Sequence, residues 1–501
     1  MNLFRRFKKL FDPVDLTQGK IIKVMIPFFI PIMFSMVFQQ LYSLTDSIIV
    51  GQNLSANEIT GVSDAVPMTF LVLTFTSGLT AGFSTLLSDA VGSNDESRMR
   101  RSFFIQIVLS LAFTVILTVA AYFSIDFMLS VLKISPSAED QNMQAIYESA
   151  KTYMAILFVF GIFSQMFYNL ITSVLRGIGD SFIPFLFLVF STVLNVFLDL
   201  LFIIPLNWGV AGSAYATVIS QFLSALGAFI YAYARYPKLR IRKEDMKIDG
   251  KYLAKHLWFG LPLGFQYSIL FIGVVVMQAA IIPFDIAPNG MTVLNNPAQI
   301  GYGVSNKFSG LLMNFLNAVG MGMLTFVSQN KGANKVDRIK DGFRVGFEIM
   351  TALALFLMAV GLLFTINGAY QYVFLASDKV TQQSLVYGNM YLYVSLPFYF
   401  VLGMIYLGRN TIQGLGKPLF PLLGGISELI TRVVVCTFLP QIVNGAPITS
   451  EASLPSYAIV CAADPITWIF SAAIVIIPSF IIIYKKLGNG GIDPNAVAKL
   501  S

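Results

Sequence analysis

Polar residues are sparse along this chain and gather in clusters. Between the clusters lie apolar runs of about 20 residues or more, each long enough to cross roughly 30 Å of hydrocarbon. Twelve runs can be counted, near 21–50, 58–88, 102–132, 149–174, 182–205, 209–234, 256–283, 299–328, 343–375, 386–408, 418–443 and 456–484. The pattern predicts an all-α polytopic membrane protein with twelve transmembrane helices and no separate soluble domain. Composition agrees: of 501 residues, 56% are hydrophobic and 12% charged, where a soluble domain has about a quarter charged. Residues 1–20, MNLFRRFKKLFDPVDLTQGK, are basic and amphipathic and lack a small-residue cleavage site. They predict a cytoplasmic interfacial segment, not a cleaved signal peptide.

The net charge of +7 changes meaning once its residues are placed. With the N-terminus inside, 28 of the 33 Lys and Arg fall on the cytoplasmic side. Lys133, Lys151 and Lys379 fall outside, and Lys307 and Arg432 fall within runs. This positive-inside bias predicts a cell-membrane protein with both termini cytoplasmic. It accounts for the basic balance without a nucleic-acid partner. Cys436 and Cys461 sit in apolar runs and read as small core residues, not a disulfide. The one histidine, His256, has too few neighbouring ligands for a metal site.

The chain repeats itself. Residues 81–103 align with 321–343 at an offset of 240, with seven of 23 positions identical, among them Gly92/Gly332 and Asn94/Asn334. RGIGDSFIP (176–184) aligns with QGLGKPLFP (413–421) at an offset of 237. Six runs separate the copies, an even number, so the halves share one orientation, a transporter architecture. The expected organisation is an N-lobe at 21–234, a basic linker at 235–251, a C-lobe at 252–485 and a cytoplasmic tail at 486–501, with two parallel pseudo-symmetric six-helix lobes. The GxG sequences follow no strand, so they predict tight turns and not phosphate loops.

Of the carboxylates inside these apolar runs two stand out, Asp46 in the first and Asp199 in the fifth. A charge within a bilayer costs at least a few kcal/mol and marks ion or proton work. Tyr42 and Asp46 are four apart, as are Asn195 and Asp199, so each pair shares a helix face. Gln39 lies on the Tyr42 stripe, and the sixth run adds Ser213, Tyr215 and Thr217 from GVAGSAYATVIS. Together they form a hard-oxygen set suited to a small cation or a shared proton. Pro27 and Pro31 allow a kink upstream of Asp46. At the 237 offset Asn195 maps to Arg432, Asp199 to Cys436 and Ser191 to Glu428, so the acidic site belongs to the first half. Glu428, Arg432, Asp464 and Lys307 are expected to form an intramembrane charge network in the second half, or to face the substrate.

LYSLTDSIIVG, LRGIGD, LNVFLD and GVAGSAYAT together resemble the multidrug and toxic compound extrusion (MATE) transporters, over essentially the whole length. The resemblance is closer to the DinF-like branch than to the NorM-like one, because the seventh run lacks the glutamate of the latter. It implies cation binding at Asp46, Asn195, Asp199 and Thr217, with Tyr42 and Pro31 as neighbours. The metal would be sodium at those residues and no other. The expected function is a sodium- or proton-coupled antiporter exporting amphipathic organic cations by alternating access, monomeric in the lipid bilayer and without a cofactor. Alternatives are a flippase for lipid-linked oligosaccharides and a polytopic membrane enzyme, the latter disfavoured by the lone histidine.

Overall fold

The computed structural model describes residues 12–136, 140–375 and 380–487. Most of the amphipathic N-terminal segment (1–11), Lys379 and the tail from 488 lie outside the described residues. Among the described residues twelve helices are long and apolar enough to span a membrane. They are α1 (Ile21–Asn53), α2 (Ala56–Gly92), α3 (Glu96–Phe123), α4 (Gln141–Gly177), α5 (Phe182–Ile203) and α6 (Gly209–Arg235), followed by α7 (Gly250–Asp285), α8 (Pro297–Gly332), α9 (Val336–Ile366), α10 (Gln382–Gly414), α11 (Leu419–Asn444) and α12 (Leu454–Lys486). Each carries one predicted run. Among the described residues the one strand-like pairing is an isolated bridge between Ile286 and Thr292.

Several helices begin before their apolar run, because capped polar turns add no hydropathy. Ser55 and Glu58 form a capping box at the start of α2, and Asp95 and Asp140 cap α3 and α4. The runs at 102–132 and 343–375 each divide into a spanning helix and a short one, Ile125–Val131 and Ala369–Phe374. In the second of these, Gly368 supplies the turn with a φ of 61°.

The internal repeat is visible in the backbone. Asn94 and Asn334 both adopt positive φ, 53° and 56°, and Gly179 and Gly416 do so at 94° and 97°. Each turn is closed by the same hydrogen bonds. Asp180 N donates to Leu175 O at 2.9 Å, and its counterpart Lys417 N donates to Ile412 O at 3.1 Å. The GxG sequences are therefore helix C-caps that release the chain into the next span.

By packing, the chain forms two units, 1–268 with 328–335, and 269–327 with 336–501. The division falls inside α7 and near the end of α8, not in the 235–251 loop. That loop is tied to the first unit: Arg100 Nε donates to Asp245 at 2.7 Å, both side chains buried. The end of α8 is held there by an unusually close crossing with α2. A Cβ on Gly92 would collide with the carbonyl oxygen of Gln329, and one on Gly332 with that of Asp89. A strap from the N-terminal segment lies alongside. Val14 N donates to Gly179 O (2.9 Å), Asn330 Nδ2 to Leu16 O (3.1 Å) and Lys335 Nζ to Thr17 O (2.8 Å), with Leu16 fully buried.

Candidate functional site

In the first unit, α1 packs against α5, and α5 against α6. Small residues on α6 permit the second contact: Gly212, Ser213, Ala214 and Ala216 are all buried. The packing gathers the oxygen-bearing residues of three helices. Tyr42 Oη lies 3.1 Å from Thr217 Oγ1, and Asn195 Nδ2 reaches the same hydroxyl at 3.5 Å. Ser213 Oγ donates to Asp46 Oδ1 at 3.4 Å. Asp46 stands beside Asp199, close enough for the two charges to act on each other. All five predicted cation-site residues are thus brought together, with Ser213 as a sixth.

Asp199 and Asn195 are fully buried. Among the described residues no fixed donor meets either Asp199 carboxylate oxygen or Asn195 Oδ1, and Asp46 is near enough to share a proton with Asp199. An acceptor held away from water without a donor costs about 1–3 kcal/mol, and more when charged. Three such atoms in one corner make a set that a cation or a proton would stabilise. The donors are all oxygen, which fits sodium; neutral hydroxyl and amide oxygens add ligands without adding charge.

Tyr153 on α4 was not expected. It is buried and faces the site closely enough to feel both Asp46 and Asp199. A neutral aromatic residue in an apolar run carries no sequence signal, but a second feature marks the place. Four residues later α4 passes through a π turn, Leu157–Gly161, whose Phe158 carbonyl accepts from Thr118 Oγ1 at 3.0 Å. Such turns re-aim side chains and recur at functional sites. Of the two prolines, Pro31 is buried and Pro27 exposed, within an uninterrupted α1. The Pro31 carbonyl accepts from Ser35 Oγ at 2.8 Å. Gln39 is exposed and Tyr215 half-buried, its ring packing near Trp208 and Phe160.

The second unit holds a different corner. Arg432 Nη2 on α11 donates to Asp464 Oδ1 on α12 at 2.5 Å, and Tyr391 Oη on α10 donates to the other oxygen, Oδ2, at 2.9 Å. Glu428 takes Arg409 of α10 as its partner, again buried. The expected network therefore needs two corrections. Arg409 lies just past the tenth apolar run, which ends at 408, but α10 continues to Gly414 and buries it. Lys307 is exposed on α8 and makes no ion pair among the described residues. Cys436 and Cys461 are free and buried.

Comparison with known proteins settles the family. The sequence matches the MatE family over residues 31–201 and 300–438, more than half of the chain. The chain belongs to the MATE family. It is 29% identical over 402 residues to a probable multidrug resistance protein, YoeA, of Bacillus subtilis, covering 79% of this chain and 81% of that one. It is 22% identical over 449 residues to the multidrug export protein MepA of Staphylococcus haemolyticus, covering 85% and 94%. Its fold is similar to that of an outward-facing multidrug resistance MATE transporter of the MOP superfamily, with a TM-score of 0.80 at 20% identity over 97% of this chain and 99% of the other. A MATE protein in the bent conformation gives a TM-score of 0.78 at 21% identity, over 97% and 98%. This MATE chain is therefore a multi-pass membrane transporter and not an enzyme.

Proposed function

We propose that this transporter is a cation-coupled antiporter, driven by sodium or protons, that exports amphipathic organic cations across the cell membrane by alternating access. Asp46 and Asp199 are the coupling carboxylates, Asn195, Thr217 and Tyr42 complete the site, and Tyr153 orients it. The observation that carries this reading is the buried cluster of unpartnered acceptors at Asp199 and Asn195 beside a second carboxylate. The relatives' names, multidrug resistance and multidrug export, support the substrate class. The coupling ion is cargo, released each cycle. It can drive the cycle only by binding one facing state more tightly than the other. The kink allowed by Pro27 and Pro31 gives α1 a way to carry Asp46 between two arrangements. The protein works as a monomer, with both termini cytoplasmic.

Dye efflux from proteoliposomes, with sodium and proton gradients imposed separately, tests this reading. Asp46→Asn and Asp199→Asn are each expected to abolish gradient-driven efflux in protein that remains monodisperse. Efflux near the parent rate from either variant would remove that residue from the mechanism. Efflux unchanged without sodium on either side, under a pH gradient, assigns coupling to protons.

A further inference from the structure

We propose that the second unit contains a latent univalent-cation site, filled permanently by the guanidinium of Arg432, so that coupling runs through the Asp46–Asp199 site alone. The inference rests on reading Asp46–Asp199 as the coupling site.

Each unit gathers polar groups from its fourth, fifth and sixth helices. In the first, Asn195 of α5 reaches across to Thr217 of α6, and Tyr153 of α4 faces the acids. In the second, Arg432 of α11 reaches across to Asp464 of α12, and Tyr391 of α10 donates to the acid. Asn195 and Arg432 are related by the 237 offset. Tyr153 and Tyr391 are related by 238, and the extra residue of the α4 π turn accounts for the change. The irregular turn itself has a counterpart, the 3₁₀ segment Leu396–Phe398 that interrupts α10 at Pro397. What differs is where the acid sits and what faces it. Cys436 stands where Asp199 does, so the carboxylate has moved from the fifth helix of the half to the sixth, and a fixed positive charge has come to meet it.

Arg432 is shaped into this place. Its Nε has no partner, while Nη2 is committed to Asp464. On α7 a Cβ at Gly273 would collide with Nη1, so that helix leaves room for the guanidinium by having no side chain there. Guanidinium is charged at every accessible pH and cannot dissociate from its own chain. It therefore occupies the position of an exchangeable ion without being exchangeable. Arg432→Asn restores the residue of the first half. It frees the Asp464 carboxylate and opens space beside Gly273, with the Tyr391 hydroxyl and the new amide oxygen at hand.

The test counts cations bound per purified, full-length chain, using sodium-22 in alkaline buffer and proton uptake on acidification in sodium-free buffer. Arg432→Asn is expected to bind one cation more than the parent, and its melting temperature is expected to rise with sodium or acid more than the parent's does. Arg432→Asn with Asp464→Asn should return to the parent count. A folded Arg432→Asn variant with no added cation and no added thermal response would overturn the proposal. Should that variant fail to fold, Asp46→Asn with Asp199→Asn decides: no cation bound supports the proposal, and one retained refutes it. A parent chain that binds nothing at Asp46 and Asp199 would defeat the coupling-site reading instead, while the gain on Arg432→Asn would still report on the second unit.

Discussion

Two buried ion pairs lie within one turn of each other on α11, and the structure says which partner belongs to which. Arg432 pairs with Asp464, and Glu428, four residues earlier, pairs with Arg409. All four side chains are at most 10% exposed. Arg432→Ala leaves the buried Asp464 charge without its positive partner, met only by the Tyr391 hydroxyl, a cost of about 3–5 kcal/mol. The second change that recovers stability must neutralise the charge left alone. Asp464→Asn is expected to return about 2–3 kcal/mol of the loss, whereas Glu428→Gln would break the Arg409 ion pair and add a second loss. Arg432 also feels the Glu428 charge one turn away, so the Arg432–Glu428 interaction energy should be favourable but smaller than that of Arg432 with Asp464. Melting temperatures of the purified single and double variants, followed by size-exclusion chromatography after heating, give the order directly. Rescue of Arg432→Ala by Glu428→Gln better than by Asp464→Asn would refute the pairing. So would an Arg432→Ala variant as stable as the parent.

Three further outcomes are expected. Tyr153→Phe removes a hydroxyl facing the acid pair, so the coupling-ion concentration for half-maximal efflux should rise roughly tenfold; an unchanged requirement would take Tyr153 out of the site. Asp245 lies outside the spans. Burial pushes its carboxyl up, but the Arg100 hydrogen bond and charge and the Arg242 backbone N–H outweigh this and hold it below the usual carboxylate range. Its stabilisation is therefore complete above the ordinary carboxylate value of about 3.9 and is lost as pH falls through the lower folded value. Asp245→Asn should lower the melting temperature at neutral pH and flatten its acid limb, and an acid limb identical to the parent's would contradict this. Gly332→Ala sets a methyl against the Asp89 carbonyl, backbone that cannot swing aside, and is expected to destabilise by about 1–3 kcal/mol. A melting temperature equal to the parent's would show that α8 is not held there.

Hydropathy made the twelve helices legible because lipid length and backbone satisfaction leave few other ways to arrange such runs. That the first-half polar residues gather in one place was legible too, since Asp46 and Asp199 are costly exceptions to an apolar background and their helical spacing names their neighbours. The rest depended on facts hydropathy does not carry. Arg409 looked like a loop residue because the apolar run stops at 408, yet a helix whose end is packed in protein can continue through paired polar residues. Lys307 groups with the buried charges in sequence because rotation about the helix axis is invisible in its run, whereas the structure leaves it exposed. Tyr153 and Tyr391 look like filler in one dimension and acquire a role only when the acids of neighbouring helices arrive beside them. The division of α7 and α8 between the two units is likewise a matter of tertiary packing, and the linker composition gave no hint of it.

The crossing of α2 and α8 has the form of an isologous interface. Gly92 meets the carbonyl of residue 329 and Gly332 that of residue 89, and the 240 offset carries one contact into the other. In a homodimer, each surface residue at such a contact answers for both copies at once. Here the same rule holds within a single polypeptide, at one crossing of two helices. Bulk added at either glycine has to be absorbed by the main chain opposite, so the two positions are constrained as a pair, whereas Asn195 and Arg432, also related by the repeat, carry different chemistry.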